Sequence, residues 1–187
     1  MSYSWSAMRK ILEKENICDS LRGRIQYFAT RYRESHDAEG RVAIRLDGKE
    51  IFKTCYYDWQ TKRDLVVKSN VISKAQVISY WDYWDKVHLE AKNFAGFDQY
   101  GFYEAFYEYH NQSIEKSLVS SDPVVRMFAI LDKRVGKRKL QDMLAHIEAQ
   151  PEWLQVFFSL RLETDGIIES VFESEVDCRV ESNKQSS

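Results

Sequence analysis

The hydrophobic pattern of this chain changes period once. Over residues 41–46, Val42, Ile44 and Leu46 alternate with Arg41, Ala43 and Arg45, the period of two that a half-buried strand shows. Asp47-Gly48 follows directly, a pair that takes positive φ at both centres of a type I′ turn. Residues 49–55 are then the return strand. Residues 24–33, rich in Ile, Tyr, Phe and Thr, predict a third strand, joined to the second by a loop over 34–40. Most of the remaining chain has the period of a helix. Ahead of the strands, Trp5, Met8, Ile11 and Leu12 share one face of a helix over 4–16, with Ser4 as its N-cap. Three strands alone are marginal, and this helix is the nearest cover for one face.

After the strands the pattern is ambiguous over 56–73, where apolar pairs fit either a longer strand or a helix. Residues 74–92 read as a helix with Val77, Tyr80, Trp81, Trp84, Val87 and Leu89 on its apolar side. Two glycines break the pattern over 93–101. Residues 102–118 read as the next helix, with Phe102, Phe106 and Tyr109 along one edge. Asp122-Pro123 pairs a capping residue with proline at N1 and starts a helix that runs to 135 and stops at Gly136. A second helix spans 137–150. Pro151 at N1 opens a third, to about residue 165, with Gly166 past its end. Residues 124–131 and 153–160 echo each other as two helical segments. These elements predict an α+β fold, in which an N-terminal helix and a three-stranded antiparallel meander precede a helical region of packed hairpins. One domain covers 1–181, with helix and meander in 1–57 and the helical part in 58–168. Residues 182–187 form a polar tail expected to be disordered.

Composition narrows the class. A chain of 187 residues with 44% hydrophobic and 30% charged content buries a core without disulfides or metal. The formal charge of −2 selects no partner by bulk electrostatics. Cys18, Cys55 and Cys178 are far apart and form no zinc spacing. No paired-histidine metal motif, P-loop or GxSxG is present, so no metal, cofactor or catalytic residue is assigned. No window approaches the about 18 apolar residues of a membrane span, and the start lacks the apolar core of a signal peptide. A cytoplasmic location with reduced thiols is the expectation.

Candidate binding residues come from charge. Residues 20–53 carry eight Lys or Arg against five acids, including Arg31, Arg33, Arg41 and Arg45. Such a face is either ordinary solvated sheet or a surface for an acidic partner or phosphate. His36-Asp37 lies in the loop between Arg33 and Arg41. It is either turn chemistry or an acid–base pair acting on a phosphate ester. Residues 133–139 hold five cations in seven positions, among them Arg134, Lys137 and Arg138. They either offset a helix dipole or touch nucleic acid. The ring-rich region 80–109 reads first as an aromatic core between two helices. Its acids argue against base stacking. Residues 163–181 carry seven acids against one arginine, and could lie over the cationic sheet.

Residues 21–52 and 122–140, with the Met-Ser-x-Ser-Trp start, resemble an uncharacterised family of small bacterial cytoplasmic proteins. The resemblance rests on TRYR-x-SHD-x-x-GR and D-[KR]-R-V-G-K-R elements, here at residues 30–41 and 132–138. It implies a bacterial cytoplasmic origin and no particular activity. The resulting functional expectation is a non-enzymatic interaction protein, such as an immunity or accessory protein with a protein partner. Nucleic-acid binding through the Arg-rich sheet and the 133–139 turn is the alternative. An enzyme acting on a phosphate ester through His36 and Asp37 is the second.

Overall fold

The computed structural model describes residues 3–31, 40–73 and 77–169. It begins with helix α1 (Trp5–Lys10), capped by the Ser4 hydroxyl, which accepts from the Ala7 amide. The helix widens into a π turn over Ile11–Glu15, closed by the Asn16 amide donating to the Ile11 carbonyl at 2.8 Å. Met8, Ile11 and Leu12 are buried beneath it. Strands β1 (Ile25–Arg31), β2 (Gly40–Leu46) and β3 (Lys49–Cys55) form one antiparallel sheet in that order. The Asp47-Gly48 turn has φ of 50° and 83°, both positive as a type I′ turn requires. A bulge between Ile44 and Arg45 shifts the β2–β3 register, so Ile44 faces Phe52 and Arg45 faces Glu50.

The inner sheet face carries Ile25, Tyr27, Val42 and Ile44, all essentially inaccessible. Ala43 was expected on the wet face and is buried too. Its partner across the ladder is Phe28, whose ring lies 4.3 Å from the Arg45 guanidinium carbon. The arginine stem and the ring together cover the alanine's side of the sheet.

The ambiguous stretch after β3 is helix α2 (Tyr56–Ser69), ended by Asn70 in the left-handed region. Helix α3 (Tyr80–Ala95) starts later than expected, at the Ser79 cap. The expected single helix over 102–118 is two, α4 (Gln99–His110) and α5 (Ile114–Leu118), because Ser113 caps a new start. Helix α6 (Pro123–Ile130) is capped by Asp122 as expected but ends short of 135. The Asp132 carboxylate accepts the Arg134 amide at 2.7 Å, a side-chain turn that competes with helical propagation. Helix α7 (Lys137–Met143) also stops early, running into a 3-10 turn. Helix α8 (Glu152–Thr164) has Pro151 as its N-cap residue, not its N1 residue. It closes on Gly166 at φ 67°, with the Ile167 amide on the Leu162 carbonyl and the Gly166 amide on the Glu163 carbonyl.

The main core lies between the sheet and helices α4, α6 and α8. Phe102 and Phe128 pack edge to face at 5.2 Å, Tyr27 meets both, and Phe52 stacks on Phe97 at 4.7 Å. Each large side chain so buried contributes roughly 1.5–3 kcal/mol. A second, smaller cluster joins α2 to α3 through Trp59, Val66, Val87 and Ala91. The ring-rich region is thus divided. Phe97, Phe102, Phe106 and Tyr109 are core, whereas Tyr80 and Trp81 are exposed.

Candidate functional site

Three surfaces carry chemistry. The first is the outer sheet face. Arg41 and Arg45 both reach Glu50 across the ladder, and these hydrogen bonds hold the Glu50 carboxyl below its ordinary range. Arg24 pairs with Asp47 at 2.7 Å beside the turn. Five strand and turn charges, three cations and two carboxylates, are therefore paired in place. Arg31 ends β1, with its side chain outside the described residues, as are Arg33, His36 and Asp37. Gly40, at the end of the same sequence element, is buried. A Cβ there would meet the Thr30 carbonyl at 1.7 Å and the Gln99 side chain at 1.8 Å. No residue but glycine fits where β2 enters the sheet against α4.

The second surface follows Asp132. This aspartate is 1% exposed and accepts from the Tyr109 hydroxyl and from Arg134 Nη2 at 2.6 Å. The Asn16 side-chain amide donates to the Tyr109 oxygen at 3.0 Å. Burial and the adjacent carboxylate push the Tyr109 phenol well above its usual value, while the bond to Asp132 raises the Arg134 guanidinium further. Backbone bonds from Cys18 to Leu131 and from Lys133 to Asn16 tie the N-terminal segment to this loop. Arg134 is thus built into the fold. Lys137 and Arg138 lie apart from it, exposed in the first turn of α7.

The third surface is formed by α2, α3 and the start of α4, and no motif signals it. A cleft of about 310 Å3 opens there. From α2 come Tyr56, Trp59 and Arg63, and from α3 come His88 and Lys92, four residues apart and so on one helix face. Asp98, Tyr100 and Glu104 form the facing wall. Lys92 is nearly buried and pairs with Asp122 at 2.6 Å; the same aspartate caps α6 through the Val124 amide. The Lys92 backbone carbonyl accepts the Trp153 indole N–H at 2.8 Å. Asp98 caps α4 by accepting the Gly101 amide at 2.8 Å, and burial raises its carboxyl above the ordinary range. His88 is half-buried against Trp59 and Trp84. Desolvation, then the Arg63 charge, lower its pKa from 6.5. Arg63 lies over both indoles, 5.8 Å from Trp59 and 5.4 Å from Trp84.

Beyond Trp84 the first turn of α3 presents bare apolar surface. Ile78 is 96%, Trp81 73% and Tyr80 66% exposed. Ile78 and Tyr80, with Val77, Tyr83 and Trp84, surround a hollow of about 350 Å3, and the Trp81 ring stands outside it, edge-on to Tyr80 at 5.2 Å. Among the described residues no group of three His, Cys, Asp or Glu could hold a metal ion, and no helix is long and apolar enough to cross a membrane.

Neither a curated protein nor a solved structure matches this chain. A family model does match, over residues 4–162, which takes in everything from the α1 cap through most of α8, and the chain accordingly belongs to the SF0329 protein family.

Proposed function

We propose that this is a non-enzymatic interaction protein that holds a protein partner on the exposed aromatic face at the start of α3. The observation that carries the reading is the bareness of Ile78 and Tyr80 at an apolar hollow, with Trp81 equally exposed against Tyr80. Soluble chains seldom leave such a patch open without use, and Trp and Tyr are the side chains that most often dominate binding energy. Asp82 and Asp85 border the patch, and Lys86 already pairs with Asp82 at 3.1 Å. A partner offering an apolar side chain to the hollow and basic groups to its rim fits that surface. An immunity or accessory role is the concrete form of this function.

A photocrosslinker placed at position 81 would capture the partner in cells. Binding of the purified partner should then fall about 30-fold or more in Trp81→Ala or Ile78→Asp, the weight of a hot-spot residue. Reversing Arg41 and Arg45 to Glu should leave it unchanged. Equal affinity of the α3 variants and the parent chain would refute the proposal.

A second reading draws on one observation. Lys137, Arg138 and Lys139 stand exposed at the N-terminal end of α7, where the helix dipole disfavours cations. Retaining three cations at such a place favours contact with nucleic-acid phosphate. Reversal of Lys137 and Arg138 should then flatten the salt dependence of binding to duplex DNA or RNA; no measurable binding at low salt would dispose of this alternative.

A further inference from the structure

We infer that the cleft between α2, α3 and α4 binds a small zwitterion, with the chemistry of a free α-amino acid bearing an apolar or aromatic side chain. Its walls differ in polarity. On the α2–α3 side the groups are donors. Arg63 projects a guanidinium whose carboxylate partner, Asp64, is itself half-exposed. The Trp59 indole forms part of the wall, is 5% exposed and has an N–H with no acceptor. The His88 ring stands on the same side, against Trp59 at 5.4 Å and Trp84 at 6.0 Å. A buried N–H without an acceptor carries an uncompensated desolvation cost, and a ligand carboxylate removes it.

On the α4 side the groups are acceptors. One Asp98 oxygen holds the Gly101 amide, the residue is 5% exposed, and among the described residues no Lys, Arg or His forms an ion pair with it. Burial is the main cause of the raised pKa of this carboxyl; the Gly101 amide opposes it, Glu104 adds to it, and Lys92 and His88 offset it only in part. Glu104 stands beside it, 3.8 Å from Lys92. Lys92 is committed to Asp122 and offers little to a second anion. A dianion such as phosphate therefore meets two carboxylates and one guanidinium that already shares Asp64, which is unfavourable. A simple amine leaves the Trp59 and Arg63 donors unused. A molecule with carboxylate and ammonium a few ångströms apart answers both walls. The volume of about 310 Å3 is at the lower end for ligand sites, which limits the occupant to a few functional groups. The aromatic rings of Tyr56 and Tyr100 bound the remaining space.

Three probes on the full chain test this by calorimetry, with thermal shift as a check: L-phenylalanine, 2-phenylethylamine and 3-phenylpropionate. The zwitterion should bind about tenfold or more tightly than either single-charge analogue. Asp98→Asn keeps an N-cap residue on α4 and removes the charge. It should weaken phenylalanine to the level of phenylpropionate and leave phenylpropionate itself unaffected. Arg63→Gln should weaken phenylalanine to the level of phenylethylamine and leave the amine unaffected. Equal affinity for all three probes, stronger binding of either single-charge analogue, or no binding at millimolar concentration would overturn the inference on the unmodified protein, whatever the variants do. Because the aromatic face of α3 is not altered in these experiments, their failure would leave the protein-partner reading untouched.

Discussion

The ion pair between Lys92 and Asp122 gives the sharpest test of how the two helical layers are joined. The side chains are only 9% and 10% exposed, and their charged atoms lie 2.6 Å apart. Lys92→Met removes the cation, keeps most of the side-chain length and strands the Asp122 charge inside the protein. Asp122→Asn removes the opposite charge, retains a good N-cap for α6 and strands the ammonium. Breaking a buried pair from one side typically costs about 3–5 kcal/mol, because the remaining charge is left desolvated and unpaired. Glu104, 3.8 Å from Lys92 and itself exposed, compensates little in the Asp122 variant. The double variant removes both charges, so its cost should fall well below the sum of the singles, with a coupling of about 2–3 kcal/mol. Urea unfolding of the four proteins measures this directly, and each single variant should lower the melting temperature by roughly 6–20 °C at about 2–4 °C per kcal/mol. A double variant as costly as the two singles added together would show that the charges do not interact, and the proposed tie between α3 and α6 would be wrong.

Three further outcomes are expected. Gly48→Val has open space for its side chain but must hold φ near 83°, so it should lose about 1–3 kcal/mol by denaturant unfolding; no loss would exclude backbone strain at this turn. Trp84→Ala should destabilise more than Trp81→Ala, which should stay within about 0.5 kcal/mol of the parent because its ring is exposed. His88 has a folded pKa below its ordinary 6.5, so the unfolded chain takes up its proton first and stability falls as pH drops below about 6.5 toward the folded value. His88→Gln should flatten that part of the pH–stability curve, and an unchanged curve would exclude His88 as its source.

The sheet was legible because strand periodicity and turn chemistry are local. The alternation of Val42, Ile44 and Leu46 and the Asp47-Gly48 pair fix the faces and the hairpin within a dozen residues. Helix caps at Ser4, Asp122 and Gly166 were legible for the same reason. Helix ends set by tertiary bonds were not. Nothing in the spacing of residues 123–135 signals that Asp132 will turn back on Arg134 while receiving Tyr109 from another helix. Trp81 looked like core because it shares a helical face with Trp84 and Val87. The cluster that covers α3 is small, however, and reaches Val87 and Ala91 without extending to the first turn. The cleft was invisible as a motif. Its donors and acceptors come from three elements, and the only local hint was the four-residue spacing of Trp59 with Arg63 and of His88 with Lys92. Of the proposed sheet arginines, Arg41 and Arg45 turned out to share Glu50, a pairing that depends on the register between β2 and β3.

Glu13 lies on the π turn, where its carboxylate accepts the Tyr27 amide at 2.8 Å and pairs with Arg9. Strand β1 forms one border of the sheet, so this side chain occupies a position that another strand would need. A strand from another chain adding along β1 must first displace this carboxylate from the Tyr27 amide. A helical side chain, and not a further strand, thus satisfies this part of the border, and growth of the sheet there loses a charge-assisted bond before it gains a ladder bond.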